Sequence, residues 1–112
     1  MIDSYRFGSI TVGGKTYTRD VILYPDRVRD SWWREEGHEL CLEDIGEVLR
    51  FGPEVLVIGT GASGRMNVPE DVQEKIRSRG IRLFVARTDE AVRLYNQLAG
   101  ARRIVAALHL TC

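Results

Sequence analysis

One stretch restricts the fold more than any other: Glu54-Val55-Leu56-Val57-Ile58-Gly59-Thr60-Gly61-Ala62-Ser63-Gly64, an apolar run without polar alternation that stops at three glycines. A run apolar at both parities belongs to a strand covered on both faces, as in a parallel sheet flanked by helices. The sequence downstream supplies the helices. Pro69 to Gly80 has proline and two acids in its first turn, basic residues late, and glycine at its end, with Val72 and Ile76 as an i,i+4 apolar pair. Ile81 to Ala86 reads as a strand. Thr88 to Gly100 reads as a helix with Thr88 as N-cap and Ala91, Val92, Tyr95 and Leu98 as its apolar stripe. Arg103 to Leu110 reads as the last strand. Strand–helix–strand–helix–strand with these connections implies parallel neighbours and right-handed crossovers.

Upstream, residues 5–12 read as a strand with a bulge near Gly8, and Gly13-Gly14 as a two-residue hairpin turn. Lys15 to Tyr24 reads as the second hairpin strand, whose continuously apolar half, Val21 to Tyr24, enters the buried sheet. Residues 26–41 show no period and are dense in mixed charge. Trp32 and Trp33 are adjacent there, and adjacent residues cannot both face one core, so one tryptophan is expected at the surface or lining a crevice. Leu42 to Phe51 has helical spacing and stops at Gly52-Pro53. The expected fold class is α/β. One domain spans residues 1–112, an α/β/α arrangement with a mixed, mostly parallel sheet of about five strands, an N-terminal β-hairpin and about three helices.

Sixteen basic and sixteen acidic residues cancel, so the chain as a whole has no field to attract nucleic acid or an anionic membrane. Arg77, Arg79, Arg82, Arg87, Arg93, Arg102 and Arg103 fall at helix ends and strand edges, matched by acids and without aromatic interleaving. Zero net charge offers little repulsion to self-association, so a homodimer is compatible with the composition. No run approaches the ~18 apolar residues of a membrane span. Met1 to Arg6 carries an early acid and no apolar core of a signal peptide, so the expected location is cytoplasmic. Cys41 and Cys112 read as free thiols, and with two distant histidines they make no metal site.

Gly59-Thr60-Gly61-Ala62-Ser63-Gly64 satisfies G-x-G-x-x-G after a strand, and Asp89 lies 25 residues beyond the last glycine, a dinucleotide-binding pattern on paper. In that motif the helix opens directly onto the pyrophosphate. Here Arg65 to Pro69 delays it, and the chain lacks a second mononucleotide-binding half. The remaining readings are a plain loop at the sheet edge or a loop whose amides, with Thr60, Ser63 and Arg65, meet a small anion or other ligand. A nucleophile elbow around Ser63 would need glycine where Arg65 stands. His38 reads as a solvated or hydrogen-bonded loop residue. His109, between Leu108 and Leu110, reads as structural or exposed at a sheet edge.

The N-terminal hairpin, the Ser31-Trp32-Trp33-Arg34 and Gly37-His38 segment, the strand ending in Gly59-Thr60-Gly61, and the Asp89-Glu90-Ala91 helix start together resemble a small α/β domain of uncharacterised archaeal and bacterial proteins. That domain also occurs in a mitochondrial complex I assembly factor and in an adipogenesis-associated animal protein. The resemblance covers essentially the whole chain. It implies work through protein partners rather than a known reaction, and it implies that Trp33, Arg34, His38, Gly59, Thr60 and Gly61 surround a shared surface pocket. With Ser63 added, these are the candidate binding residues; no catalytic residue and no cofactor are assigned. The leading expectation is a non-enzymatic interaction or assembly module with an unidentified protein partner or small ligand. The alternative is a small enzyme or anion/nucleotide-binding domain using the glycine-rich loop.

Overall fold

A computed structural model describes residues 1–100 and 103–112, so Arg102 of the basic set above lies outside the described residues. In chain order these form β1 (Ile2–Arg6), β2 (Ser9–Val12), β3 (Lys15–Tyr17), β4 (Val21–Leu23), β5 (Val28–Arg29), α1 (Gly46–Phe51, entered through a 3₁₀ turn at Leu42–Ile45), β6 (Val55–Thr60), α2 (Glu70–Arg77), β7 (Arg82–Ala86), α3 (Thr88–Leu98) and β8 (Ile104–His109). The fold is α/β, with three helices and two sheets. One sheet is the antiparallel meander β1-β2-β3. The other has the order β5-β4-β8-β6-β7.

The alternation read from Glu54 onward is present. β6 pairs in parallel with β7 on one side and with β8 on the other, Val57 facing Phe84 and Ala106. The larger sheet is mixed rather than mostly parallel, because β4 runs antiparallel to β8 and β5 antiparallel to β4. Side-chain alternation divides its core cleanly. Ile22, Leu56, Ile58, Val105 and Ala107 face one side, where Ile45, Val48, Val72 and Ile76 of the α1 and α2 segments cover them. Val21, Leu23, Val55, Val57, Ala106 and Leu108 face the other, covered by Ala91 and Tyr95 of α3 and by Ile2 and Ile10 of the small sheet.

Four expectations are corrected. Lys15 to Tyr24 is not one strand: it breaks at residues 18–20 into β3 and β4, which lie in different sheets. Residues 5–12 are not one strand either, since a turn at Phe7-Gly8 separates β1 from β2 and the β1–β2 register shifts between Ile2 and Ser4 instead. The sheet count of about five therefore describes the larger sheet alone. Of the two readings of His109, structural or exposed at a sheet edge, the second is overturned: β8 lies between β4 and β6, and His109 is buried.

Candidate functional site

Three parallel strands end on the same side of the larger sheet, and the crevice outside such carboxyl ends is where open α/β sheets hold their ligands. Here the protein's own residues fill it. Thr60 and His109 are register partners at the ends of β6 and β8. Thr88, expected as an N-cap, uses its hydroxyl for tertiary bonds instead. Its Oγ1 donates to the His109 carbonyl at 2.6 Å and accepts from the Gly61 amide at 2.8 Å. A Cβ at Gly59 would come within 2.8 Å of that hydroxyl and 2.9 Å of Leu108 Cδ2, so the first glycine is set by the close approach of α3 to the sheet. Gly61 has φ +107°, and a Cβ there would lie 2.5 Å from the Cys112 carbonyl oxygen and 2.8 Å from the His109 ring.

The loop amides that could meet an anion are largely engaged. Ala62 N–H donates to the Thr111 carbonyl at 2.6 Å, Arg65 N–H to Cys112 at 2.9 Å, Gly64 N–H to Gly61 at 3.2 Å, and Met66 N–H to Thr60 at 3.0 Å. Thr60 itself donates its hydroxyl to the Ala86 carbonyl. The G-x-G-x-x-G pattern thus serves the meeting of β6, α3 and residues 110–112.

Asp20, just before β4, is the pivot of the buried polar cluster here. One carboxylate oxygen accepts from the Leu110 amide at 2.8 Å. The other accepts from Arg34 Nη1 at 2.8 Å and lies 2.8 Å from His109 Nδ1. His109 Nδ1 also lies 3.1 Å from Arg34 Nη2. A carboxylate only accepts and a guanidinium only donates, so Nδ1 cannot serve both, and the shorter contact with the carboxylate favours a proton on Nδ1, with Nε2 on the far side of the ring. His109 Nε2 is buried and makes no hydrogen bond within the described residues. Burial alone would raise the Asp20 carboxyl, but the bonds from His109, Leu110 and Arg34 outweigh it and hold it below its ordinary value. Arg34 also donates from Nη2 to the Gly37 carbonyl and stacks over the Trp32 ring at 4.7 Å.

The same bonds pin the irregular segment. Trp32 N–H donates to the Asp20 carbonyl, Asn67 N–H to His38, and Leu40 N–H to Asn67. Ser31 takes a positive φ of 59°, rare outside glycine, in the turn that introduces the two tryptophans. Trp32 turns inward and bonds the Asp44 carbonyl through Nε1; Trp33 turns outward and is 74% exposed.

Of the candidate residues, Arg34, Gly59, Thr60 and Gly61 are therefore gathered at the carboxyl end of the sheet. His38 stands beside them, exposed, its ring 6.0 Å from that of His109. Ser63 is exposed on the loop. Trp33 stands apart from that group: it lines a cleft of about 320 Å³ with Trp32, Glu35, Glu43, Asp44 and Glu47, which none of the other six candidates lines. Asp20, Thr88 and residues 110–112 were missed from sequence. An acid directly before an apolar strand, and a histidine inside one, were signals that a buried polar pair had to be satisfied. Both cysteines are free thiols. Burial, and then the Asp44, Glu43, Glu39 and Glu35 carboxylates, push the Cys41 thiol upward, away from a reactive thiolate. No helix among the described residues is long and apolar enough to cross a membrane.

A family profile described as "Protein of unknown function (DUF498/DUF598)" matches residues 2–109. The crystal structure of the conserved hypothetical protein PH1505 from Pyrococcus horikoshii superposes with a TM-score of 0.89 at 28% identity, covering 100% of this chain and 99% of that one. A structure named MT938 is 30% identical with a TM-score of 0.81, covering 100% and 98%. XCC1710 from Xanthomonas campestris is 26% identical with a TM-score of 0.84, covering 98% and 83%.

Proposed function

The chain belongs to this family of proteins of unknown function, and from that footing we propose that it acts as a non-enzymatic interaction or assembly module. The observation that carries the reading is Trp33: a large aromatic side chain 74% exposed at the rim of a cleft, on a loop whose backbone is fastened at Asp20 and Asn67. A rigidly held, exposed tryptophan is the kind of side chain that dominates protein interfaces, because it offers much apolar area with little conformational entropy to lose. The engaged amides of the glycine loop favour this over an anion-binding loop, since a ligand there would have to displace bonds from Thr111 and Cys112. The resemblance to a mitochondrial assembly factor, whose work is with protein partners, favours the same reading.

The competing reading, a small enzyme, rests on the Asp20–His109 pair and on the buried His109 Nε2, which makes no hydrogen bond within the described residues. The Gly61 backbone packs close to that ring and Arg34 Nη2 lies 3.1 Å from its Nδ1, which argues for a structural pair. Affinity capture from the source cell's extract separates the two. Proteins retained by wild type should be lost with Trp33→Ala and kept with His38→Ala and Ser63→Ala. Capture that ignores Trp33, or that follows His38 and Ser63 instead, would overturn the assignment.

A further inference from the structure

We infer that the cleft beside Trp33 takes an arginine-bearing segment of a partner protein. The inference rests on the interaction reading and names the partner's chemistry. Zero net charge hides a local imbalance: residues 35–49 contain six acids (Glu35, Glu36, Glu39, Glu43, Asp44, Glu47) and no lysine or arginine. Four of those acids line the cleft, against Arg29 and Arg50.

The cations do not neutralise them. Arg29 is committed to Glu47. Asp44 is committed to backbone, accepting from the Cys41 amide at 2.9 Å and the Glu35 amide at 3.3 Å. Glu35 and Glu43 are exposed and make no ion pair with any described residue. Two carboxylates without an ion pair among the described residues therefore share the cleft with an exposed indole, and of its lining cations Arg50 alone is left to offset them.

That combination selects a cation with a flat face. A guanidinium can stack on an indole while its edge donates to a carboxylate; an ammonium is a point charge and is more strongly hydrated. The adjacent tryptophan already shows the pairing in this protein, with the Arg34 guanidinium over the Trp32 ring at 4.7 Å while Nη1 donates to Asp20. The partner's arginine would repeat on the outer tryptophan what Arg34 does on the inner one. A cleft of about 320 Å³ suits one or two such side chains, being at the small end of the ~300–1,000 Å³ range of ligand sites.

The test titrates uniformly ¹⁵N-labelled protein with tetra-arginine, tetra-lysine and tetra-glutamate peptides and follows the indole N–H signals. Tetra-arginine should move the Trp33 indole and the Glu35 and Glu43 amides saturably, leave the Trp32 indole nearly still, and weaken as salt is raised. Tetra-lysine should bind several-fold more weakly, and tetra-glutamate not at all. Trp33→Ala and the pair Glu35→Gln/Glu43→Gln should each weaken tetra-arginine binding by about fivefold; both sites are exposed, so unchanged dispersion elsewhere certifies the fold. No response at Trp33 to tetra-arginine, or an equal response to tetra-glutamate, overturns the inference. A Trp33 signal that instead shifts with protein concentration alone makes a second copy the occupant, and also overturns it. If Trp33→Ala abolishes cellular capture while tetra-arginine fails to bind, the module reading stands and only the arginine chemistry falls.

Discussion

Asp20→Ala should be among the most damaging single changes in this protein. The side chain is short and its position precedes a three-residue strand, so residue-type rules alone assign it little. The structure assigns it three donors: the Leu110 amide, Arg34 Nη1 and His109 Nδ1, each at 2.8 Å. Removing the carboxylate strands all three. The arginine matters most, because its side chain is only 5% exposed and a buried charge without its partner costs about 3–5 kcal/mol. At an m-value of about 2 kcal/mol/M, that moves the urea midpoint by about 2 M. In a thermal scan the same loss is about 12–20 °C at this chain length. The pH dependence adds a second readout. The folded Asp20 carboxyl lies below its unfolded value near 4, so its contribution is complete above about pH 4 and is lost as the pH falls through the lower folded value. The gap between wild type and Asp20→Ala should therefore be constant near neutrality and narrow below about pH 4. Combining Asp20→Ala with Arg34→Met should cost less than the sum of the two by about 1–3 kcal/mol, because the second change removes the charge that the first leaves unpaired. A loss under about 1 kcal/mol, additive singles, or a gap that ignores acid would refute the account.

Two further outcomes test the packing at the end of the sheet. Thr88→Val keeps the shape but leaves the Gly61 amide without its acceptor and the His109 carbonyl without that donor; it should cost about 1–3 kcal/mol in urea unfolding and speed hydrogen exchange at Gly61. Gly61→Ala combines a φ of +107° with a Cβ 2.5 Å from the Cys112 carbonyl oxygen, so it should cost at least about 2 kcal/mol and weaken protection at the Ala62 and Arg65 amides.

The elements from Glu54 onward were legible because their signals are local. Two-sided apolarity marks β6, i,i+4 pairs mark α2 and α3, and proline and glycine mark their limits. What was illegible depends on residues far away in the chain. Lys15 to Tyr24 looks like one β-rich run; it divides where Asp20 is drawn to Leu110, 90 positions on. Thr88 has the right chemistry for a cap, but the buried His109 carbonyl and Gly61 amide take its hydroxyl instead. The glycine pattern leaves a plain loop and a ligand loop both open in the sequence, because its true neighbours, α3 and residues 110–112, approach only when the sheet is assembled. The tryptophan pair was half legible: adjacency required that the two part company, but only the Ser31 turn and the Asp44 carbonyl decide which one goes in.

The way the crevice is filled bears on where this fold can bind anything. A parallel sheet offers its carboxyl end to ligands because loops there are free to reshape and backbone amides are free to donate. Here the amides of Gly61, Ala62, Gly64, Arg65 and Met66 all have acceptors within the protein, and the facing loop is tied by Arg34 to Asp20 and by Asn67 to His38. Opening the crevice would break several of these bonds and expose the buried Asp20–Arg34 pair, whose disruption alone costs about 3–5 kcal/mol. Few small ligands bring enough surplus affinity to offset that. The outer side of the tied loop needs no opening: Trp33, Glu35 and Glu43 already face solvent on a backbone whose ordering was completed in folding. In the module proposed above, the bonds that occupy the sheet end would also be the ones that hold its covering loop in place as a recognition surface.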